Sequence, residues 1–447
     1  MQALRLIALF GCTAALCLYL AHRFLLPISR AAAAALLLLP LLPTGRAVLT
    51  GDHYGPLNFA YNSPPLAARR SELPEHLYRN GPGSDAAIQM IPWRAAVRAV
   101  AAGGDWPLIN PFMLCGDILL ATVMPAVFHP ATWLGFLLPL ATAWTLASAL
   151  MYFTTAFCAF LFLRDLGLSE RIAFFGAAAW MLSSHTVLLD GRPNSFVFAC
   201  FPLLLLGVRR LAARARGGFG ATTLALVLML LAGHPESVLF GVAGAGVFFL
   251  FELAAARSRF AAIGRSVLAG FFALALCAVA LLPFFEASDQ TLQGRHRRDW
   301  YAHQPKSIPL ADAVSGTLGV VLPKAYGDEF PSPRMPGAFP YATLAYLGGL
   351  PLGLAMIGAF SRRREALALL AAGLPALAVA NGYPIIADIV CGLPLFNISI
   401  QNYLIGVTAF SVAALAAIGL DAVIARRAPA PAVWLCLLGA AIVAFAL

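Results

Sequence analysis

Long apolar runs, separated by short basic turns or by long polar loops, set the pattern of this chain. The runs lie near 3–21, 31–49, 139–163, 171–188, 194–210, 219–233, 236–254, 263–286, 341–360, 365–381, 401–423 and 430–447. Most have the length that carries an α-helix across roughly 30 Å of hydrocarbon. None alternates apolar and polar residues, as a strand of a membrane barrel would. The pattern predicts an all-α polytopic membrane protein with about twelve transmembrane helices.

Composition agrees. Of the 447 residues, 61% are hydrophobic and 11% charged, with a mean hydropathy of +0.82. A soluble domain carries about 25% charged residues. The net charge of +10 does not point to nucleic acid, because the 28 Arg and two Lys fall mostly in short turns between apolar runs. Arg23 and Arg30, Arg164 and Arg171, Arg209 to Arg216, Arg257 to Arg265, Arg362 to Arg364, and Arg426 with Arg427 occupy alternate turns. Read with the positive-inside rule, that face is cytoplasmic and both termini lie outside. No small-residue cleavage site follows 3–21, so that run is expected to stay as a span.

The opposite face receives the long segments. Two N-terminal helices (1–49) precede a first outer loop (50–138). Central helices (139–287) precede a second outer loop (288–340), and C-terminal helices fill 341–447. The first loop is expected to carry interfacial helices. A helix over 86–102 sets Asp85 and Gln89 on one face, has Pro92 and Trp93 near its start, and turns Ile88, Val97 and Val100 to lipid. Asp105-Trp106-Pro107 opens a turn, and Gly116-Asp117 leads to His129-Pro130. Of the eight cysteines, six lie in apolar runs. Cys115 and Cys391 lie in outer segments and leave a disulfide open.

Candidate chemistry gathers on the outer side. Asp85, Asp52 and Asp117 are the carboxylates considered for an acid–base role, each with a plain alternative as a cap or turn acid. Ser84 or Asp85 could cap the helix. The run Arg295-His296-Arg297-Arg298, with Lys306 and Lys324, lies where topology does not explain it. Phosphate and anionic lipid headgroups both fit it. Tyr301, Tyr326, Asp328 and Glu329 share that loop. His234 and Glu236 flank Pro235 at a span end. Asp190 and Arg192 read as a local pair, Glu286 and Asp289 close the eighth span, and His185 reads as an interior histidine. No His-x-x-x-His, Cys-x-x-Cys, Walker loop or G-x-G-x-x-G appears. Outer carboxylates have the oxygen chemistry for a divalent cation, but the sequence assigns no metal.

The order D…Q..PW (Asp85, Gln89, Pro92, Trp93), then G..WPL.NP through Asn110, G..LLA from Gly116, and F.P at Phe128–Pro130 resembles the first outer loop of GT-C-fold integral membrane glycosyltransferases. The bacterial YfhO-like family is the nearest group. GHPES at 233–237, YLGGLPL at 346–352 and the late run 393–421 resemble that group's segments in the same order. The likeness covers most of 80–425. Two departures stand out: the segment 50–84 is long, and Gln401-Asn402 stands where the late motif usually has Arg.

The resemblance implies a plasma (inner) membrane enzyme, multi-pass and active outside the cytoplasm. It would transfer a sugar from a polyprenyl-phosphate-linked donor to a glycan, lipid or protein acceptor, among membrane lipids. In that reading Asp85 is the leading base and Asp52 its rival. Gln89, Trp93, Asp117, His234, Glu236, Arg295, Arg297, Arg298 and Lys306 would contact substrate. A transporter or flippase of lipid-linked sugars and a surface-polysaccharide polymerase or ligase are the alternatives. The first usually carries internal repeats, and none is visible.

Overall fold

The protein, as a computed structural model, is described for residues 2–62, 64–72, 84–323, 325, 344–427 and 438–439. Among these residues it is all-α apart from one two-residue ladder. Helix α1 (Gln2–Phe24) returns as a pair, α2 (Arg30–Leu38) and α3 (Leu41–Thr50), bent by 71°. The sequence reads these two as one span. Pro40 sits at the bend, where its missing N–H interrupts the helical ladder. Gly51, at a φ of 79°, closes α3 beside Ala3.

The first loop then builds a small satellite core. Residues 84–102 are helical, but the turn Ala86–Met90 is a π-turn that leads into α4 (Ile91–Ala102). Strands β1 (Ile109–Asn110) and β2 (Asp117–Ile118) pair antiparallel, and α5 (Pro130–Gly135) follows. Val97, expected to face lipid, is buried with Ala96, Leu119, Leu120 and Val127. The loop is therefore a folded layer with a core of its own.

The helical body comprises α6 (Leu140–Asp165), α7 (Glu170–Met181), α8 (Ser184–Leu188), α9 (Pro193–Ala212), α10 (Gly218–Leu231), α11 (Pro235–Ala254) and α12 (Arg259–Ser288). It continues with α13 (Leu292–Asp299), α14 (Leu310–Thr317), α15 (Gly349–Ala359), α16 (Arg364–Ala380), α17 (Ile386–Cys391) and α18 (Ile405–Ile424). Among the described residues six helices, α1, α6, α9, α11, α12 and α18 with its preceding turn, are long and apolar enough to cross a membrane. The bent pair makes a seventh if counted as one span. The run 430–447, read as a last span, lies outside the described residues except for 438–439.

Helices α6 and α9 are enclosed on nearly all sides, whereas α1 and α12 are peripheral. Small residues let central helices close up, as lipid-embedded packing favours. Gly358 of α15 lies against the Leu415 carbonyl of α18, and Gly419 against the Leu354 carbonyl. His185 is interior, stacked on Trp180 with ring centroids 5.3 Å apart.

The basic turns gather at one end. Arg209 and Arg210 pair with Asp165 at 3.3 and 2.7 Å. Arg364 reaches the buried Glu252 at 2.9 Å, and Arg363 reaches Asp421 at 2.6 Å. Arg210 also donates to the Leu25 carbonyl, and Glu170 accepts from the Ser29 N–H, so the first turn belongs to this end too. The chain direction then puts the described parts of 50–138, the turn 189–192, His234 and 289–309 together at the opposite end.

Candidate functional site

At that opposite end, one face of α6 presents Trp144, Ser148 and Tyr152, spaced four residues apart and so stacked along the helix. Two glycines allow the chain to close around Trp144. A Cβ on Gly191 would sit 2.6 Å from Trp144 Cζ2, and one on Gly55 would sit 2.9 Å from Trp144 Nε1. Tyr54 donates its N–H to Thr145 Oγ1 at 3.0 Å, and its hydroxyl lies 3.1 Å from that of Tyr152. Arg94 of α4 lies over the Trp144 ring, 4.8 Å from the centroid. Arg98, one turn on, fixes α4 by donating to the carbonyls of Gly135 and Leu138. Between Arg94, Arg98, Thr132, Phe136, Leu140 and Trp144 lies a cavity of about 20 Å³, room for a single water.

Asp190 sits in this cluster, in the turn before α9. Its Oδ1 is shielded from solvent and has no hydrogen-bond partner. Burial pushes its carboxyl up to about 7, while Ser148, the Gly191 N–H and Arg94 pull it down. Burial disfavours the charged form, and the three partners only partly compensate. The same enclosure pushes the Tyr54 phenol up to about 12, helped by the Asp190 charge. It pulls the Arg94 guanidinium down to about 10 against the attraction of Asp190, so Arg94 stays cationic at neutral pH. His129 caps α5 through Nδ1 and packs 4.6 Å from the Phe196 ring. Burial, then Arg94, hold it down to about 3.

Arg192 links this cluster to a second one. It pairs with Asp85 at 3.1 Å and lies close enough to His234 to act on its charge. His234 caps α11 by accepting from the Ser237 N–H at 3.2 Å, and its ring meets Tyr403 at 4.9 Å. Burial first, then Arg297 and Arg192, pull it down to about 4, so it is neutral at pH 7. Glu236 pairs with Arg297 and accepts from the Ile400 N–H at 3.1 Å. Arg297 also donates to the Ile398 carbonyl at 2.9 Å. Tyr301 donates to Gln401, and Gln401 donates to the Lys306 carbonyl. Lys306 donates to the Tyr301 carbonyl and sits over its ring. Helix α13 and the turn after it are thereby pinned to the starts of α11 and α18.

The residues expected from sequence are partly gathered. Asp85, His234, Glu236, Arg297 and Lys306 belong to this band. Asp85 makes no cap, because the helix already includes 84 and 85. Asp52, just past the end of α3, is exposed and lies 3.6 Å from Arg46. Asp117 turns its Oδ1 to the next N–H, of Ile118, at 2.8 Å. Gln89 is exposed, and the π-turn breaks the regular phasing expected to align it with Asp85. Trp93 packs inward on the satellite core.

Further expectations change. Of the arginine run only Arg297 turns inward: Arg298 pairs with Asp289, and Arg295 reaches the Gln290 carbonyl. The expected Asp190–Arg192 pair gives way to Arg192–Asp85 and Asp190 beside Arg94. Cys115 is exposed and Cys391 buried, and both are free thiols. Lys324, Tyr326, Asp328 and Glu329 lie outside the described residues. Among the described residues no three His, Cys, Asp or Glu side chains form a metal-binding group.

Sequence reasoning passed over Arg94, Trp144 and Tyr54 and undervalued Asp190. The available signal was the turn Asp190-Gly191-Arg192-Pro193, which puts two opposite charges directly before a helix with Pro at its first position. No protein-family model, curated protein or solved structure matches this chain.

Proposed function

We propose that the protein is a GT-C-type membrane glycosyltransferase. In this reading it moves a sugar from a polyprenyl-phosphate donor to a glycan, lipid or protein acceptor at the outer face of the plasma membrane. The twelve-span topology belongs to the same reading. The short helices α7, α10, α15 and α16 and the run 430–447 complete the spans, with the basic end in the cytoplasm.

The observation that carries the reading is the band of charge at the end opposite the basic turns. It draws Asp85 and Arg94 from the first loop, Asp190 and Arg192 from the turn before α9, His234 and Glu236 from the start of α11, and Arg297 from the second loop. Such transfer needs carboxylate and cation together. The bond from the anomeric carbon to the phosphate oxygen breaks, and its electron pair leaves on the prenyl phosphate. The acceptor oxygen bonds to that carbon, and its proton passes to a carboxylate. Arg192 and Arg94 supply the positive charge that a departing phosphate calls for. Asp85 and Asp190 are the two acids beside those arginines. Asp190 has the environment of a group that takes a proton near neutral pH.

The test is transfer by the purified protein in liposomes from prenyl-phosphate-linked sugars. Single-sugar addition is expected, with Asp85→Asn or Asp190→Asn lowering the rate at least about a hundredfold while insertion is unchanged. Full activity in a well-inserted double variant sinks the site. Movement of the lipid-linked sugar with no covalent product would make the protein a flippase. Products of growing length would make it a polymerase.

A further inference from the structure

The hairpin formed by 105–118 has an unusual surface for a folded outer loop. Trp106, Leu108, Ile109, Phe112, Met113 and Leu114 are all exposed, with Trp106 at 68%, Phe112 at 70% and Leu114 at 84%. No charged residue occurs from 106 to 116, and Asp105 and Asp117 bracket the run. The tip is a tight structure. Leu114, Cys115 and Gly116 take φ values of 49°, 60° and 117°, and the Gly116 N–H closes on the Met113 carbonyl at 2.8 Å. The strained turn thrusts apolar side chains outward where a water-facing tip would carry polar ones.

Helix α12 gives the height of this hairpin. Between Arg265 and Glu286 run twenty uncharged residues. At 1.5 Å per residue these span about 30 Å, the thickness of the hydrocarbon. Glu286 therefore marks the outer boundary. Leu108, at the base of the hairpin, and Leu120 and Ala121, just after it, line one open cleft with Pro283, Glu286, Ala287 and Gln290. The hairpin base thus rests at the boundary itself. Beside it α12 exposes Leu282 and Phe285, so the apolar surface of the tip continues the apolar surface of a membrane-crossing helix.

We infer that the 106–114 hairpin is a membrane wedge whose occupant is the acyl region of the outer leaflet. Asp105 and Asp117 stay at headgroup level, and Trp106 serves as the interfacial anchor. Because β1 adjoins α4, the wedge fixes the height of the helix that carries Arg94. The inference stands whether or not the protein transfers sugars, since it concerns only the position of the loop against lipid.

The test reads Trp106 in phosphatidylcholine–phosphatidylglycerol vesicles containing lipids brominated high or low on the acyl chain. Subtracting the emission of Trp106→Phe from that of the wild type isolates this one residue. The expected signal is blue-shifted, quenched by shallow-brominated lipid and little affected by aqueous iodide. Leu114→Asp, a second variant at the tip, should shift it to the red and raise iodide quenching several-fold. A Trp106 signal open to iodide and indifferent to brominated lipid overturns the inference and leaves a protein partner as the occupant. A signal sheltered from both overturns it as well.

Discussion

Asp190 and His234 show how one environment acts in opposite directions on two kinds of group. Burial holds the Asp190 carboxyl up to about 7 and the His234 imidazole down to about 4. For Asp190 the folded protein keeps a proton that the unfolded chain loses near pH 4. Its stabilising contribution is therefore present at low pH and is lost as pH rises through about 7. For His234 the unfolded chain takes a proton near 6.5 that the folded protein refuses. Its contribution is present above that pH and is lost as pH falls towards about 4. Thermal unfolding in detergent from pH 4 to 8 separates the two. Asp190→Asn should remove the loss on the alkaline side, and His234→Gln the loss on the acid side. Neither change in either variant would mean that the groups are solvated. Sequence gave both residues but not these environments, because Trp144, Tyr54 and Arg94, which enclose Asp190, come from three distant stretches.

Among the elements, the α15–α18 crossing shows how little its own helix sequences could say. Both read as apolar runs of no particular face, yet Gly358 and Gly419 bring the backbones into contact. A side chain at 419 has to displace the Leu354 backbone. Gly419→Leu should cost about 1–3 kcal/mol, seen as a lower unfolding midpoint, while Gly264→Leu in α12, where no described atom lies within 4 Å of an added Cβ, is the control. Span two is a similar case. Its hydropathy predicted one span, and the chain bends by 71° within it, at Pro40. The helix over 86–102 was foreseen, but its π-turn was not. Propensity fixes that residues are helical far better than it fixes their phase.

Across the whole molecule, charge is sorted to the two ends and serves a different purpose at each. The basic end is a clasp. Glu252, with its side chain 4% exposed, faces Arg209 and Arg364, and through Asp165 and Asp421 the network joins α6, α9, α11, α16 and α18. Removing one partner of a buried ion pair strands the other charges. Glu252→Gln should therefore cost on the order of 3 kcal/mol, measured as a lower unfolding midpoint, with no direct effect on the distant band around Asp85. An undiminished midpoint would mean that Asp165 and Glu365 suffice for Arg209. The opposite end keeps acids and bases interleaved, with Asp85, Arg192, His234, Arg297 and Glu236 in one continuous band.

By itself the sequence determined the all-α class, the membrane-crossing character and the sorting of basic turns from polar loops, because these depend on composition and period along a local stretch. It also determined which loops carry the ionisable residues, since these are rare enough in this chain to stand out. Only the tertiary structure decided which of those residues meet. Asp52, Asp117 and Arg298 are as conspicuous in sequence as Asp85 and Arg297, yet each is satisfied locally. The turn at Asp190 looked local and is enclosed. The reason is physical: a charge's partner and its solvent exposure come from chain segments a hundred residues away, and no local pattern carries that information.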